Sequence, residues 1–234
     1  MENPAKGYSA WQSSYPVDGL FLEEQIGHAL DNALTDNPDL IEDYTCIYLV
    51  VMDRPNLFMP AYLGNAATLP KVASRYLRIR EGDGLKLDST TEDQLICYTL
   101  PRQAVEMIQS YYNRFDSIHL VSILWKEIQK QAQQDQDGSQ QVFFTILRNH
   151  LLVLAEHKGK LVFSRHFDIR DNSDVFYFTT ACMKLFRTGA FRRVVIDGEL
   201  SSFDFPVHPQ LQFADTLRFP SIPAMLMHHF PCAS

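Results

Sequence analysis

Positive charge is scarce in this sequence: 21 Lys and Arg stand against 28 Asp and Glu, leaving a formal charge of -7, and no basic run exceeds two residues. That balance excludes a general nucleic-acid binder, which needs clustered cations to displace the counterions of phosphates. Long apolar runs are also missing. The longest, such as CIYLVVM, fall far short of the roughly 20 residues that cross a bilayer, and the opening residues lack the basic-then-apolar pattern of a secretory signal. Only four cysteines are present, Cys46, Cys97, Cys182 and Cys232, with no C-x-x-C pair. The expectation is reduced thiols in a cytoplasmic protein, with neither a disulfide framework nor a zinc site.

Familiar catalytic signatures are absent too. No G-x-x-x-x-G-K-[ST] loop, G-x-G-x-x-G fingerprint or G-x-S-x-G elbow occurs, which removes the commonest phosphate cradles and a serine nucleophile. Gly82-Asp83-Gly84 reads as a polar turn.

What is present is an ordinary globular composition, 46% hydrophobic and 21% charged over 234 residues, enough for one large or two small domains with a sizeable core. DGLFLEEQIGHALDNAL has helical apolar spacing. YTCIYLVVMD and LFMPAYLG read as strands joined at RPN, a hairpin. AATLPKVASRYLRI is a helix, EGDGLKLDSTTED a polar loop, QLICYTL a strand, and PRQAVEMIQSYYNRF a helix opening on Pro101, where proline is tolerated. DSIHLVSILWKEIQKQAQ opens as a short strand and continues as a helix. The polar stretch QQDQDGSQQ is the clearest linker, and sets a boundary between lobes at 1–135 and 136–234.

Beyond it, QVFFTILRN, HLLVLAEH and KLVFSRHFDI predict three strands, the last alternating Leu161, Phe163, Arg165, Phe167 and Ile169 against Lys160, Val162, Ser164, His166 and Asp168. Gly159 suits the tight turn between the second and third. VFYFTTACMKLFRTG predicts a helix capped by Asn172 or Ser173 and closed by Gly189, RRVVIDG a further strand, and from DFPVHPQ onward prolines obscure regular structure.

Strand, strand, strand, helix, strand is the order of the ribonuclease H-like unit, and two in tandem make the actin-like ATPase fold. NLFMPAYLG, LICYTLPRQAVEMIQSYYN, IHLVSILWKEI, HKGKLVFSRHFDIRDNSDVFYFTTACMKLF and VVIDGEL, spanning roughly Leu57 to Leu200, resemble a bacterial family of unknown function with a degenerate actin-like fold. The resemblance implies an α/β protein of two tandem ribonuclease H-like units, the first with an irregular N-terminus. In active actin-like ATPases an Asp-x-Gly turn joins the first two strands of each unit, its glycine admitting phosphate and its carboxylate positioning metal and water. Here Arg148-Asn149-His150 stands there, with neither residue type. The adenosine loop, which carries paired glycines, falls at Val194 to Glu199 and keeps Gly198 alone, between Asp197 and Glu199.

Other constellations have structural explanations. His228 and His229 are adjacent, so their imidazoles diverge and do not share an ion. His150, His157 and His166 lie on neighbouring strands, and His166 with Ser164 and Asp168 reads as the solvent face of a one-sided sheet. Asp168, Asp171, Asp174 and Asp197 invite a two-metal nuclease, but the first strand of the unit, 141–147, has no aspartate. Arg187, Arg192 and Arg193 complement a helix C-terminus, and the VFYF stripe packs in the core. No residue is assigned a catalytic, cofactor-binding or metal-binding role. The expectation is a bacterial, cytoplasmic pseudoenzyme: a scaffold with no cofactor that binds another protein, neither nucleic acid nor membrane, on the analogy of actin-like assembly proteins of pilus and secretion machines. A residual ATP-binding or phosphotransfer enzyme, with Arg148 holding phosphates between the lobes, is the alternative.

Overall fold

The structure, a computed structural model, describes residues 22–41, 44, 46–52, 54–132, 140–187, 190–197, 203 and 215–229. Most of the linker, the strands sought before Leu20 and Gly189 lie outside them.

Helix α1 (Leu22–Asp36) leads into a 3-10 turn (Pro38–Ile41) and strand β1 (Tyr48–Val51). Strand β2 (Asn56–Pro60) follows, then α2 (Leu69–Tyr76), β3 (Gly84–Thr91), β4 (Gln94–Leu100) and α3 (Arg102–Tyr111). Strand β5 (Asp116–His119) runs straight into α4 (Leu120–Ala132).

The expected hairpin between YTCIYLVVMD and LFMPAYLG does not form. β1 pairs in parallel with β5, and β2 pairs antiparallel with β4. The proline at 55 lies between two strands that enter different sheets. The stretch expected to be a polar loop is strand β3, paired to β4 from Gly84↔Leu100 to Thr91↔Gln94. Its charges had suggested solvent, yet Leu85 and Leu87 alternate with Lys86 and Asp88 at the strand period of two, and both leucines pack beside Met59 and Cys97.

The second half is one five-stranded sheet in the order β10-β9-β6-β7-β8. Here β6 (Gln141–Leu147), β7 (His150–His157) and β8 (Lys160–Asp168) form an antiparallel meander. Helix α5 (Asn172–Phe186) leads to β9 (Ala190–Ile196), parallel to β6, and β10 (Asp215–Phe219) lies parallel to β9. Helix α6 (Ile222–His229) closes the described chain, so the proline-rich end is more regular than the sequence suggested.

Local chemistry explains the joints. Lys158 and Gly159 have φ of 52° and 76°, the paired positive values of a tight hairpin turn whose twist matches its strands. At α5 the cap is Asp171, not Asn172 or Ser173: its carboxylate accepts from the Ser173 and Asp174 amides at 2.7 and 3.1 Å, which holds its pKa below the usual carboxylate range. The helix ends on Arg187 at φ 47°, whose amide donates to the Met183 carbonyl.

Helix α4 is the centre of the molecule. Leu120, Val121, Ile123, Leu124, Trp125 and Ile128 are all essentially inaccessible, an apolar face wide enough to seat the first turns of the helix in the core. At about 2 kcal/mol per fully buried aliphatic or aromatic side chain, it is a large contributor to stability. Its cluster takes Ile96, Tyr98 and Leu100 from β4 together with Phe143, Leu152, Leu154 and Leu161 from the five-stranded sheet. The other face of that sheet packs Phe144, Leu151 and Val153 against Val175, Cys182 and Met183 of α5.

The sheet is therefore covered on both faces, and this corrects the reading of β8. A bulge between Ala155 and Glu156 of β7 shifts the register opposite Val162. Leu161 enters the α4 core while Phe163 and Phe167 turn to the α5 side, so the strict alternation breaks at that point. Beyond the bulge, Ser164 and His166 face the first half, not solvent. The expected set of reduced cysteines also fails in part: Cys97 and Cys182 are free and buried, but Cys46 is disulfide-bonded, and Cys232 lies outside the described residues.

Candidate functional site

Where the five-stranded sheet meets the first half, polar side chains collect on one seam. Ser164 donates to the Asn56 side-chain oxygen at 2.7 Å, the Gln94 amide donates to the Leu161 carbonyl at 2.8 Å, and Lys160 pairs with Asp93. Deeper in, the rings of His166 and His119 stand 6.2 Å apart. His150 places Nδ1 3.0 Å from Asp168, its direct register partner.

His119 sits at the junction of β5 and α4, and the junction explains its environment. Its amide donates to Asp88 at 2.7 Å, where the Ser122 hydroxyl also donates at 2.7 Å and Tyr98 at 3.1 Å. The His119 ring accepts the Val121 amide at Nδ1, which leaves Nε2 as the donor to the Arg54 carbonyl at 3.0 Å. Both ring nitrogens are thereby committed in a neutral tautomer. A nucleophilic triad needs a hydroxyl on an imidazole and a carboxylate behind it. Here Ser122 and the backbone of His119 both go to the carboxylate, and the ring goes elsewhere.

The titrating groups have the wrong poise for acid-base work. Burial, followed by the charges of His119 and His150, pushes His166 down to about 3. Such an imidazole is neutral near pH 7 but is a very weak base. Burial raises Asp88 above its ordinary value against the pull of its donors. It also pushes Tyr98 beyond the phenol range and the thiols of Cys97 and Cys182 up to about 11, so neither thiol is a ready nucleophile.

The turn at the position that holds phosphate in active actin-like ATPases is a two-residue loop, Arg148-Asn149, because His150 already pairs with Leu147. Arg148 takes φ 52°, a left-handed conformation that a glycine would adopt without cost, and the Asn149 carbonyl accepts the Ile169 amide at 2.8 Å. At the adenosine-loop position Asp197 donates its amide to the Phe219 carbonyl at 2.9 Å; Gly198 and Glu199 lie outside the described residues.

The remaining sequence candidates separate. Asp83 borders a groove of about 380 Å³ with Arg80, Glu81, Arg102 and Glu106. Asp83 itself accepts from the Arg102 amide at the start of α3, so a side-chain carboxylate already occupies the place an anion would take. Of the four nuclease aspartates, Asp171 caps α5, Asp174 accepts the Arg170 amide, and Asp168 pairs with His150. His157 is exposed at its turn, and Arg192 and Arg193 lie within β9. Among the described residues, the group of ligand-type side chains close enough to share an ion is Glu127, His228 and His229. The adjacent histidines, expected to diverge too far to share an ion, bring a ring nitrogen each to within 4.8 Å of the other and of the Glu127 carboxylate, with ring centroids 5.5 Å apart. Sequence reasoning missed Asp88, His119 and Glu127; the one signal for them was polar residues inside otherwise apolar strand and helix patterns.

The architecture is that of an actin-like ATPase fold. A Bacteroides thetaiotaomicron VPI-5482 protein with that fold and unknown function superposes with a TM-score of 0.61 at 12% identity, covering 85% of this chain and 77% of the other. A chain of a PilM-PilN type IV pilus biogenesis complex aligns at 0.36 and 11% identity, over 71% of this chain and 53% of that one. No curated protein matches. The family profile described as "Protein of unknown function (DUF3822)" matches residues 2–190, and the chain belongs to that family.

Proposed function

We propose that this chain is a non-catalytic protein-binding or scaffolding module built on the actin-like fold, with a lapsed nucleotide site. The observation that carries the binding half is α5. Val175, Thr179, Cys182 and Met183 pack on the sheet, yet Phe176, Tyr177 and Leu185 on its other sides are exposed. A helix apolar on both its inner and outer faces, with aromatics in solvent, fits a surface that a partner covers. The absence of Asp and Gly from the Arg148-Asn149 turn, and the poise of the buried histidines, support the loss of catalysis.

We read residues 136–234 as one ribonuclease H-like unit, a reading supported by the strand order third-second-first-fourth-fifth. Residues 1–135 are a lobe that departs from the plan by splitting its strands into two-stranded and three-stranded sheets. The sequence favours a bacterial cytoplasm, and the disulfide of Cys46 is the feature that weighs against that compartment.

The test is affinity capture from the source cells with wild-type protein and a Tyr177→Asp/Leu185→Asp variant whose melting temperature is first shown to be unchanged. A discrete protein should co-purify stoichiometrically with wild type and be lost from the variant. Equal recovery of every protein with both forms, or none above background, would sink the reading.

A further inference from the structure

Helix α6 lies against α4, with Met225 and Leu226 in the central core, and this brings the end of one helix over the last turns of the other. Glu127 of α4 is almost wholly buried, an unusual place for a carboxylate without a counter-charge. His229 places Nε2 2.5 Å from Glu127 Oε1, and His228 places Nδ1 3.6 Å from the same oxygen. Successive residues on a helix do point apart, but His228 presents its near nitrogen and His229 its far one. The difference in reach lets both nitrogens converge.

A cation already stands at the convergence. Lys130 Nζ is 3.3 Å from Glu127 Oε1, 3.1 Å from His228 Nδ1 and 3.5 Å from His229 Nε2. The Lys130 side chain is 43% exposed, so its ammonium is free to swing into water without unfolding anything.

We propose that Glu127, His228 and His229 form a binding site for a divalent transition-metal ion of the zinc class, which enters by displacing the Lys130 ammonium. Two imidazoles and one carboxylate are the donor set that suits Zn²⁺ over the all-oxygen preference of Mg²⁺ or Ca²⁺. The ligand atoms lie within 4.8 Å of one another, close enough for coordination bonds of about 2.0–2.2 Å after small side-chain adjustments. On metal entry the His229 Nε2 proton, which lies toward the Glu127 carboxylate, moves to Nδ1 by tautomer exchange, so that Nε2 presents its lone pair to the ion. His228 is exposed on its outer side, leaving a fourth position to water. The ion would staple α6 to α4.

The experiment is titration of the full chain with ZnCl₂ by calorimetry, and with Co²⁺ by visible absorption, in wild type and three variants. Wild type should bind one ion, gain thermal stability and give the absorption of a low-coordinate Co²⁺ site. His228→Ala, at an exposed position, and Glu127→Gln should each weaken binding by about tenfold or more. Lys130→Met should tighten it severalfold, because a competing positive charge is gone; a purely structural ion-pair cluster predicts no such gain. Absence of one-to-one binding in both wild type and Lys130→Met, or binding indifferent to His228→Ala and Glu127→Gln, would overturn the proposal.

Discussion

The imidazoles of His119 and His166 face each other across the seam between the two halves of the chain, ring centroids 6.2 Å apart and planes tilted by 58°. His119 is held in a neutral tautomer by Val121 and Arg54, and His166 Nε2 is buried with no hydrogen-bond partner. A proton added to His166 would therefore sit in low dielectric beside two further imidazoles, His119 and His150.

This sets a stability profile. The folded pKa of His166, about 3, is depressed below the ordinary 6.5, so the unfolded chain binds the proton first. Stability is complete above pH 6.5 and falls as pH drops, by about 2 kcal/mol from this group at pH 5. His166→Leu should lose less stability than wild type between pH 7 and pH 5 in urea unfolding. Equal losses would mean that the imidazole is protonated in the folded state.

Asp88 runs the other way. Its folded pKa lies above its ordinary value because of burial, so its contribution is greatest below the unfolded pKa and is lost as pH rises. Asp88→Ala would strand the His119 amide, the Ser122 hydroxyl and the Tyr98 hydroxyl, at a cost of about 3 kcal/mol or more. Asp88→Asn keeps an acceptor for His119 and Ser122, and its NH₂ can donate to Tyr98, which turns its own proton to Ser117 at 3.2 Å. That variant should lose under about 1 kcal/mol near pH 7 and show a flatter acid profile than wild type. Equal destabilisation by Ala and Asn would show that the charge itself holds the network.

How much of this was legible follows from sequence distance. The 141–168 meander and its Lys158-Gly159 turn were readable because strand period and turn chemistry are local. The pairing of β1 with β5 was not: residues 48–51 and 116–119 are far apart in sequence and meet beside the core built around α4, and local reading joined neighbours instead. The β8 face was misassigned because the first half of the chain covers the side that a one-sided sheet would leave to solvent, and the bulge at Val162, which moves Leu161 out of alternation, is not marked in KLVFSRHFDI. His119 and Asp88 are 31 residues apart, and His228 lies 98 residues from Lys130. Neither His119 nor His228 could be given its partner until the fold supplied it.

The proposal that the nucleotide site has lapsed gives the remaining prediction. A ligand at about 100 times its dissociation constant adds roughly 2.7 kcal/mol to folding stability, which for a chain of this size raises the melting temperature by about 5–10 °C. With Arg148 at φ 52° in place of a glycine and no aspartate in the turn, millimolar ATP with Mg²⁺ should leave the melting temperature unchanged. Arg148 is also the residue on which any surviving phosphate affinity would depend, since its guanidinium is the nearest substitute for the missing metal. A shift of several degrees that disappears in Arg148→Ala would therefore restore a phosphate-binding role to the turn and overturn the lapsed-site reading. A shift that persists in Arg148→Ala would place nucleotide elsewhere on the fold and count equally against a scaffold that has lost its ligand.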